Sequence, residues 1–284
     1  FQTNATIPIN NNGQLYPPEV SIAVSGGWSS GGTYTAAKLT NGNIVYAFFN
    51  QSNYPCFTIL SETFTTVVAT TVIESVNVNT AIGVVALSGG GFVVYYLTSA
   101  SKNFRYIVYT NTGSVTTALQ TDAGFGNYTS TPYNIAACAR PVSGGFILAG
   151  TDNVSGTQIN YRVYGPTGTA TYAWSTTTNA SFVSNSSRIT VNARSDDSFI
   201  FVGANATTIN YQIFSSTNVS TVNSSFTTST SNNLDVLDAC VLSTNAVVIS
   251  YTDTAGGIYY PYIRIISAAN ALGSAIQLSV GTIN

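Results

Sequence analysis

Val85-Ala86-Leu87-Ser88-Gly89-Gly90-Gly91-Phe92-Val93-Val94 reads as an apolar strand, a tight turn and a second apolar strand. The second strand recurs as Ile44-Val45-Tyr46-Ala47, Phe92-Val93-Val94-Tyr95, Phe146-Ile147-Leu148-Ala149, Phe199-Ile200-Phe201-Val202 and Ala246-Val247-Val248-Ile249. Their first residues lie 48, 54, 53 and 47 apart. A fixed period of about fifty residues marks a repeat architecture, and this one fits four-stranded propeller blades.

Each unit resolves into four strands, A to D. In the third unit A covers Asn134 to Ala139, B Phe146 to Thr151, C Gln158 to Tyr164 and D Ala170 to Thr176. Four-residue turns join C to D: Thr110-Asn111-Thr112-Gly113, Gly165-Pro166-Thr167-Gly168, Ser215-Ser216-Thr217-Asn218 and Ser267-Ala268-Ala269-Asn270. Each closes on Gly or Asn, which tolerate a left-handed backbone. Strand C ends in Leu60, Tyr109, Tyr164, Phe214 and Ile266, spaced 49, 55, 50 and 52. The two series reproduce one period independently.

The N-terminus carries one further half-unit. Ala5-Thr6-Ile7-Pro8-Ile9 matches strand C, Asn10-Asn11-Asn12-Gly13 the turn, and Glu19 to Val24 strand D. Ile9 precedes Leu60 by 51 residues, in phase with the rest. The expected fold is therefore an all-β propeller, one domain over 1–284. Its first arrangement has five complete blades, at about 31–76, 77–124, 125–180, 181–231 and 232–284, with 1–30 as an accessory C–D hairpin and connector. The other is a six-bladed ring with the inner strands of one blade supplied from outside the chain. A lone C–D pair exposes a sheet edge, so contact with other protein subunits through this hairpin is expected.

Composition limits the chemistry. Charged residues are 6% of the chain, against about 25% in ordinary domains. Hydrophobic residues are 44% and the net charge is −2. No basic patch exists for nucleic acid, and no apolar run reaches the roughly 18 residues of a membrane helix. There is no His, which removes Ser-His-Asp and Cys-His catalysis and every His-based zinc site. Three cysteines, Cys56, Cys138 and Cys240, are read as buried apolar side chains rather than a disulfide framework. No cofactor, metal or catalytic residue is expected. The chain begins at Phe1 and contains no Met, so a processed, extracellular product is expected.

Ten acids remain for glycoside hydrolysis. Asp152, Asp238 and Asp253 fall on one face by topology; the last two belong to one blade and can converge, with no third partner in place. A sugar-binding reading rests on the B–C and D–A face. Asn50, Thr98, Asp152, Asn205 and Asp253 end strand B there, beside Trp28, Tyr34, Tyr54, Phe125, Tyr128 and Tyr133. Aromatic planes beside amides and carboxylates suit sugars. The plainer reading is that the Asx residues cap turns. The arginines Arg140, Arg162, Arg188, Arg194 and Arg264 are spread along the repeats, and Arg162 and Arg264 occupy equivalent strand C positions, read as a solvent-facing row. Sequons stand at Asn4, Asn50, Asn127, Asn153, Asn179, Asn185, Asn205, Asn218 and Asn223. About seven are expected by chance from the Asn, Ser and Thr content.

The Ser-Gly-Gly, Phe-Val-Val pattern at 88–94 and Tyr161-Arg162-Val163-Tyr164-Gly165-Pro166-Thr167-Gly168 resemble repeats of large bacterial surface proteins and phage appendages. Tachylectin-like five-bladed propellers have a similar period. The resemblance implies a non-enzymatic extracellular module for display or adhesion on a surface, fibre or virion. A lectin-like module is the alternative, and a carboxylate glycosidase the third reading.

Overall fold

In a computed structural model, the structure describes residues 34–77, 81–98, 104–122, 135–151, 158–178, 182–183, 189–229, 237–255 and 258–278. They form five four-stranded antiparallel sheets, each with its strands in sequence order. Sheet 1 holds β1 (Tyr34–Lys38), β2 (Ile44–Phe49), β3 (Pro55–Leu60) and β4 (Thr66–Val72). Sheet 2 holds β5 (Ile82–Ala86), β6 (Phe92–Leu97), β7 (Phe104–Tyr109) and β8 (Val115–Asp122). Sheet 3 holds β9 (Ile135–Ala139), β10 (Phe146–Thr151), β11 (Ile159–Tyr164) and β12 (Ser175–Thr176). Sheet 4 holds β13 (Ile189–Ala193), β14 (Phe199–Asn205), β15 (Thr208–Phe214) and β16 (Ser220–Thr227). Sheet 5 holds β17 (Asp238–Val241), β18 (Val247–Ala255), β19 (Ile258–Ile266) and β20 (Ile276–Gln277). The N-terminal half-unit lies outside the described residues. None of the described residues forms a helix long and apolar enough to cross a membrane.

The second and third strands are buried on both faces, which is why they read as continuous apolar runs rather than alternating ones. Phe92–Leu97 is buried throughout, whereas the outer strand Val115–Asp122 is mostly exposed. Each face packs on a different neighbour. In β14, Phe199 and Phe201 join a core with sheet 3, while Ile200, Val202 and Ala204 join one with sheet 5. Four such cores link sheets 1 to 2, 2 to 3, 3 to 4 and 4 to 5.

The same aromatic contact recurs in three of them. The first residue of the second strand stacks on the last residue of the third: Phe92 on Tyr109 at 5.0 Å, Phe146 on Tyr164 at 4.9 Å and Phe199 on Phe214 at 5.0 Å. A tilted ring from the preceding sheet meets the latter: Phe57 on Tyr109 at 4.6 Å, Tyr106 on Tyr164 at 4.9 Å and Tyr161 on Phe214 at 5.2 Å. The glycines of the Ser-Gly-Gly turns serve this packing. A Cβ on Gly91 would meet the Tyr109 carbonyl oxygen at 2.2 Å, and one on Gly145 the Tyr164 carbonyl oxygen at 2.1 Å.

The C–D turns adopt the expected left-handed closing residue at Gly113, Gly168, Asn218 and Asn270. In sheet 1 that position is Phe64, at φ 59°. A bulky side chain there costs about 1 kcal/mol. Phe64→Asn is expected to raise the thermal midpoint by roughly 2–4 °C; an unchanged or lower midpoint in a calorimetric scan would contradict this strain.

The cysteines differ from the expectation of uniform burial. Cys56 is buried, Cys138 is intermediate and Cys240 is exposed. Cys240 sits in β17, where its face of sheet 5 meets no described neighbour core.

Candidate functional site

The expected sugar face is described only in part. Trp28, Phe125, Tyr128, Tyr133 and Asp152 lie outside the described residues, as do Asn4, Asn127, Asn153, Asn179 and Asn185. Tyr34 is 66% exposed on β1. The Asn50 side-chain oxygen accepts from the backbone N–H of Ser52 at 3.0 Å and of Tyr54 at 2.9 Å, so Asn50 caps its own turn. Asp253 accepts from the Ser229 N–H at 2.8 Å and from its hydroxyl, tying sheet 5 to sheet 4. Asn218 accepts from the Tyr161 hydroxyl at 3.0 Å, and Asn223 donates to Thr178 Oγ1 at 3.1 Å. Asn205 pairs with Thr208 across the two-residue β14–β15 hairpin.

The arginine row is not the solvent-facing series the sequence suggested. Arg188 lies outside the described residues; Arg140 and Arg194 reach turns of the following sheet, at Ser216 and Asn270, whereas Arg162 and Arg264, like Arg105 of sheet 2, enter the seams beside a group from the end of the preceding outer strand. Between sheets 1 and 2, Arg105 forms an ion pair with Glu74, which also accepts from the Tyr96 hydroxyl at 2.8 Å. Between sheets 2 and 3, Arg162 donates through Nη1 to Asp122 Oδ2 at 2.7 Å. The same carboxylate accepts from the Tyr164 hydroxyl at 2.8 Å and from Trp174 Nε1 at 2.6 Å. Between sheets 3 and 4 the ion pair lies at the A–B turns, Arg140 Nη2 to Asp197 Oδ2 at 3.5 Å, and the position equivalent to Arg162 is the neutral Gln212. Gln212 accepts from the Thr178 N–H at 3.0 Å and donates to Thr178 Oγ1 at 2.9 Å. Between sheets 4 and 5, the Arg264 guanidinium lies 4.5 Å from the Phe226 ring centroid.

Two of these seams share a second feature. The outer strands of sheets 3 and 5 are broken, whereas those of sheets 1, 2 and 4 run for 7, 8 and 8 residues. In sheet 3, Tyr164 bridges Ala170, and pairing resumes only at Tyr161 with Ser175. In sheet 5, Ile266 bridges Leu272, and pairing resumes at Ile263 with Ile276. Arg162 and Arg264 stand at the break in each case, where no outer-strand residue pairs with them. The sequence-stretch 170–176 reads as one strand; only 175–176 forms a regular one. The break frees Trp174 from the ladder and lets its indole reach Asp122.

Each notch thus contains a cation beside rings. The Arg162 guanidinium carbon lies 5.9 Å from the Tyr164 centroid and 6.0 Å from the Trp174 centroid. Its Nε donates to the Tyr172 carbonyl at 3.1 Å, and its Nη2 makes no hydrogen bond among the described residues. Arg264 has no ion pair among them and its Nε is buried without a partner, while its guanidinium donates a hydrogen bond to the Tyr251 phenol. Tyr251 and Tyr262 stack at 5.8 Å in the same sheet. Burial raises the Tyr164 phenol far above its usual range, and the Asp122 charge raises it further. It stays neutral and donates. At Arg162 the notch offers hydrogen-bond donors, the Asp122 carboxylate and the partly exposed Trp174 ring, Tyr164 being buried; at Arg264 it offers the guanidinium and the partly exposed Tyr262 ring, Phe226 and Tyr251 being buried. Among the described residues neither holds a pair of carboxylates spaced for hydrolysis. Sequence reasoning missed it because Arg162 and Asp122 are 40 residues apart, and only the stacking of sheets joins them.

No family model and no curated protein matches the chain. Solved structures do. AofleA from Arthrobotrys oligospora superposes with a TM-score of 0.54 at 12% identity, over 92% of this chain and 76% of that one. A point mutant of the Aleuria aurantia lectin, in complex with Fucα1-6GlcNAc, gives 0.55 at 12% identity, over 89% and 81%. That lectin is a six-bladed β-propeller with a described fucose recognition mode. The SapL1 lectin in complex with α-methyl fucoside gives 0.52 at 10% identity, over 89% and 82%. None of these three is a bacterial surface or phage appendage protein, so that part of the resemblance gains nothing from them. At such identities the likeness shows the fold: this chain is a β-propeller.

Proposed function

We propose that this protein is a non-enzymatic, lectin-like glycan-binding propeller. Its proposed sugar sites are the notches beside Arg162 and Arg264, with fucosides the first ligands to test. The carrying observation is the coincidence of a broken outer strand with an arginine set against aromatic rings, twice, at equivalent positions. A pyranose stacks its C–H face on Trp174 or Tyr262, the rings that remain partly exposed, while its hydroxyls take the guanidinium donors. The fold likeness to lectins supports this reading over a purely structural role in an appendage. The neutral, hydroxyl-rich surface suits a secreted protein, and display on an extracellular assembly is compatible with it.

The test is calorimetric titration with α-methyl fucoside, backed by a glycan array. Wild-type protein is expected to bind, and Arg264→Gln to weaken the site at sheets 4 and 5 at least about 10-fold, as expected for losing a charge-assisted hydrogen bond. No ion pair among the described residues depends on Arg264, so its loss leaves the charge network of the seams intact. An array with no glycan bound, or unchanged affinity and stoichiometry in a double Arg162→Gln, Arg264→Gln variant that keeps its circular dichroism, would refute the assignment.

A further inference from the structure

Sheets 1 and 5 each use one face in the four interblade cores. Sheet 1 gives Val45, Ala47, Phe49, Phe57 and Ile59 to sheet 2. Its opposite face carries Phe48 and Cys56 at 0% exposure, Leu60 at 2% and Thr58 at 3%, none of which belongs to that core. Something covers them. Sheet 5 gives Val247, Ile249, Tyr251 and Ile266 to sheet 4. Its opposite face carries Val248, Ile263 and Ile265, which are half-buried. No core among the described residues joins sheet 5 to sheet 1.

The burial along these faces is graded. On the inner strands, Ala36 and Lys38 of β1 and Asp238 and Cys240 of β17 are exposed. On the second strand of sheet 1 Ile44 and Tyr46 are half-buried and Phe48 fully buried, and on the third strand Cys56, Thr58 and Leu60 are all buried. The covering element therefore has the extent of an outer hairpin, not of a whole blade. Residues 5–24 read as an outer hairpin in phase with the repeat, with Ala5, Ile7 and Ile9 on one face and Thr6 and Pro8 on the other.

We propose that residues 5–24 are the outer C–D hairpin of a sixth blade, seated between sheet 5 and sheet 1 of the same chain. This selects the six-bladed arrangement from the two that the sequence left open. It does not depend on the glycan reading. The recurrent contact fixes the register. The residue three before the end of each third strand packs on the last residue of the next one, as in Phe57–Tyr109, Tyr106–Tyr164 and Tyr161–Phe214. Tyr211 and Ile266 share a core in the same way. Continued around the ring, the rule pairs Ile263 with Ile9 and Thr6 with Leu60. The apolar face of the hairpin then meets Ile263, Ile265 and Val248.

Directed disulfide formation in the full-length chain tests this. Ile9→Cys with Ile263→Cys, in a Cys240→Ser background, should oxidise to an intramolecular bond in most molecules, since bridged Cα atoms lie about 5.5–6 Å apart. Thr6→Cys with Leu60→Cys should do the same from the other side. Ile9→Cys with Val142→Cys, at an exposed turn of sheet 3, should not. Intact mass, a non-reducing gel and chymotryptic mapping read the result. A monomeric cross-link in either of the first two pairs supports the sixth blade. Dimers linked between chains would show the hairpin serving a second copy and overturn the proposal. So would folded monomers that fail to cross-link in both pairs. If the Ile263 variant fails to fold, the Thr6–Leu60 pair alone decides.

Discussion

Raising the pH above 10 is expected to unfold the protein in one cooperative step, with phenolate absorbance and loss of β-sheet dichroism appearing together. Tyr95, Tyr96, Tyr106, Tyr109, Tyr161 and Tyr164 all have phenols raised above their ordinary value of 10, each chiefly by burial; Tyr106 is pushed to about 12. Hydrogen bonds to protein acceptors reinforce the neutral form. Tyr106 donates to the Gly168 carbonyl at 2.8 Å, and Tyr96 and Tyr164 donate to carboxylates. In the unfolded chain these phenols lose their protons near pH 10, while the folded chain keeps them. The unfolded state then binds fewer protons, and stability falls as pH rises. Each such phenol removes about 1.4 kcal/mol per pH unit between its unfolded and folded values. Burial also pushes the Cys56 thiol up to about 11 and Cys138 to about 12, from 9, so the decline begins with them. Six phenols acting together exhaust a typical stability of about 5–15 kcal/mol within one to two pH units. Individual phenols titrating smoothly at constant dichroism would contradict this burial.

Phe146→Ala is expected to cost about 3–5 kcal/mol, enough to leave the protein marginal at room temperature. Phe146 is 0% exposed, stacks on Tyr164 and crosses Tyr106 at 5.8 Å, so one ring joins sheets 2 and 3. The cavity cannot collapse easily, because Gly145 already sits against the Tyr164 carbonyl. Val142→Ala, at a side chain 72% exposed on the adjoining turn, should change stability by no more than about 0.5 kcal/mol. Urea denaturation with equal slopes for the two variants measures both. A Phe146→Ala midpoint equal to that of Val142→Ala would remove the stacked ring from the account of interblade cohesion.

The ring contacts also explain how much of the fold was legible. The residues that end the third strands and begin the second were visible as two periodic series, because both lie within one hairpin. Their apolar character follows from burial on both faces, which every blade repeats. The turn chemistry was equally local, and its exceptions among the described residues, Phe64 and Ala206, were invisible because nothing in the residue type announces a left-handed backbone.

The candidate site was less legible. Arg162 and Arg264 were recognised as equivalent, yet their surroundings were misjudged. Asp122 belongs to another repeat, and Trp174 reaches it only because the outer strand breaks between Ala170 and Ser175. By itself the sequence determined the hairpins, their period and the stacked-sheet architecture, since strand alternation and turn preferences act over a few residues. Tertiary structure alone decided which polar side chains share a seam, because radial packing brings together groups that chain connectivity separates by tens of residues, 31 for Arg105 and Glu74 and 52 for Trp174 and Asp122.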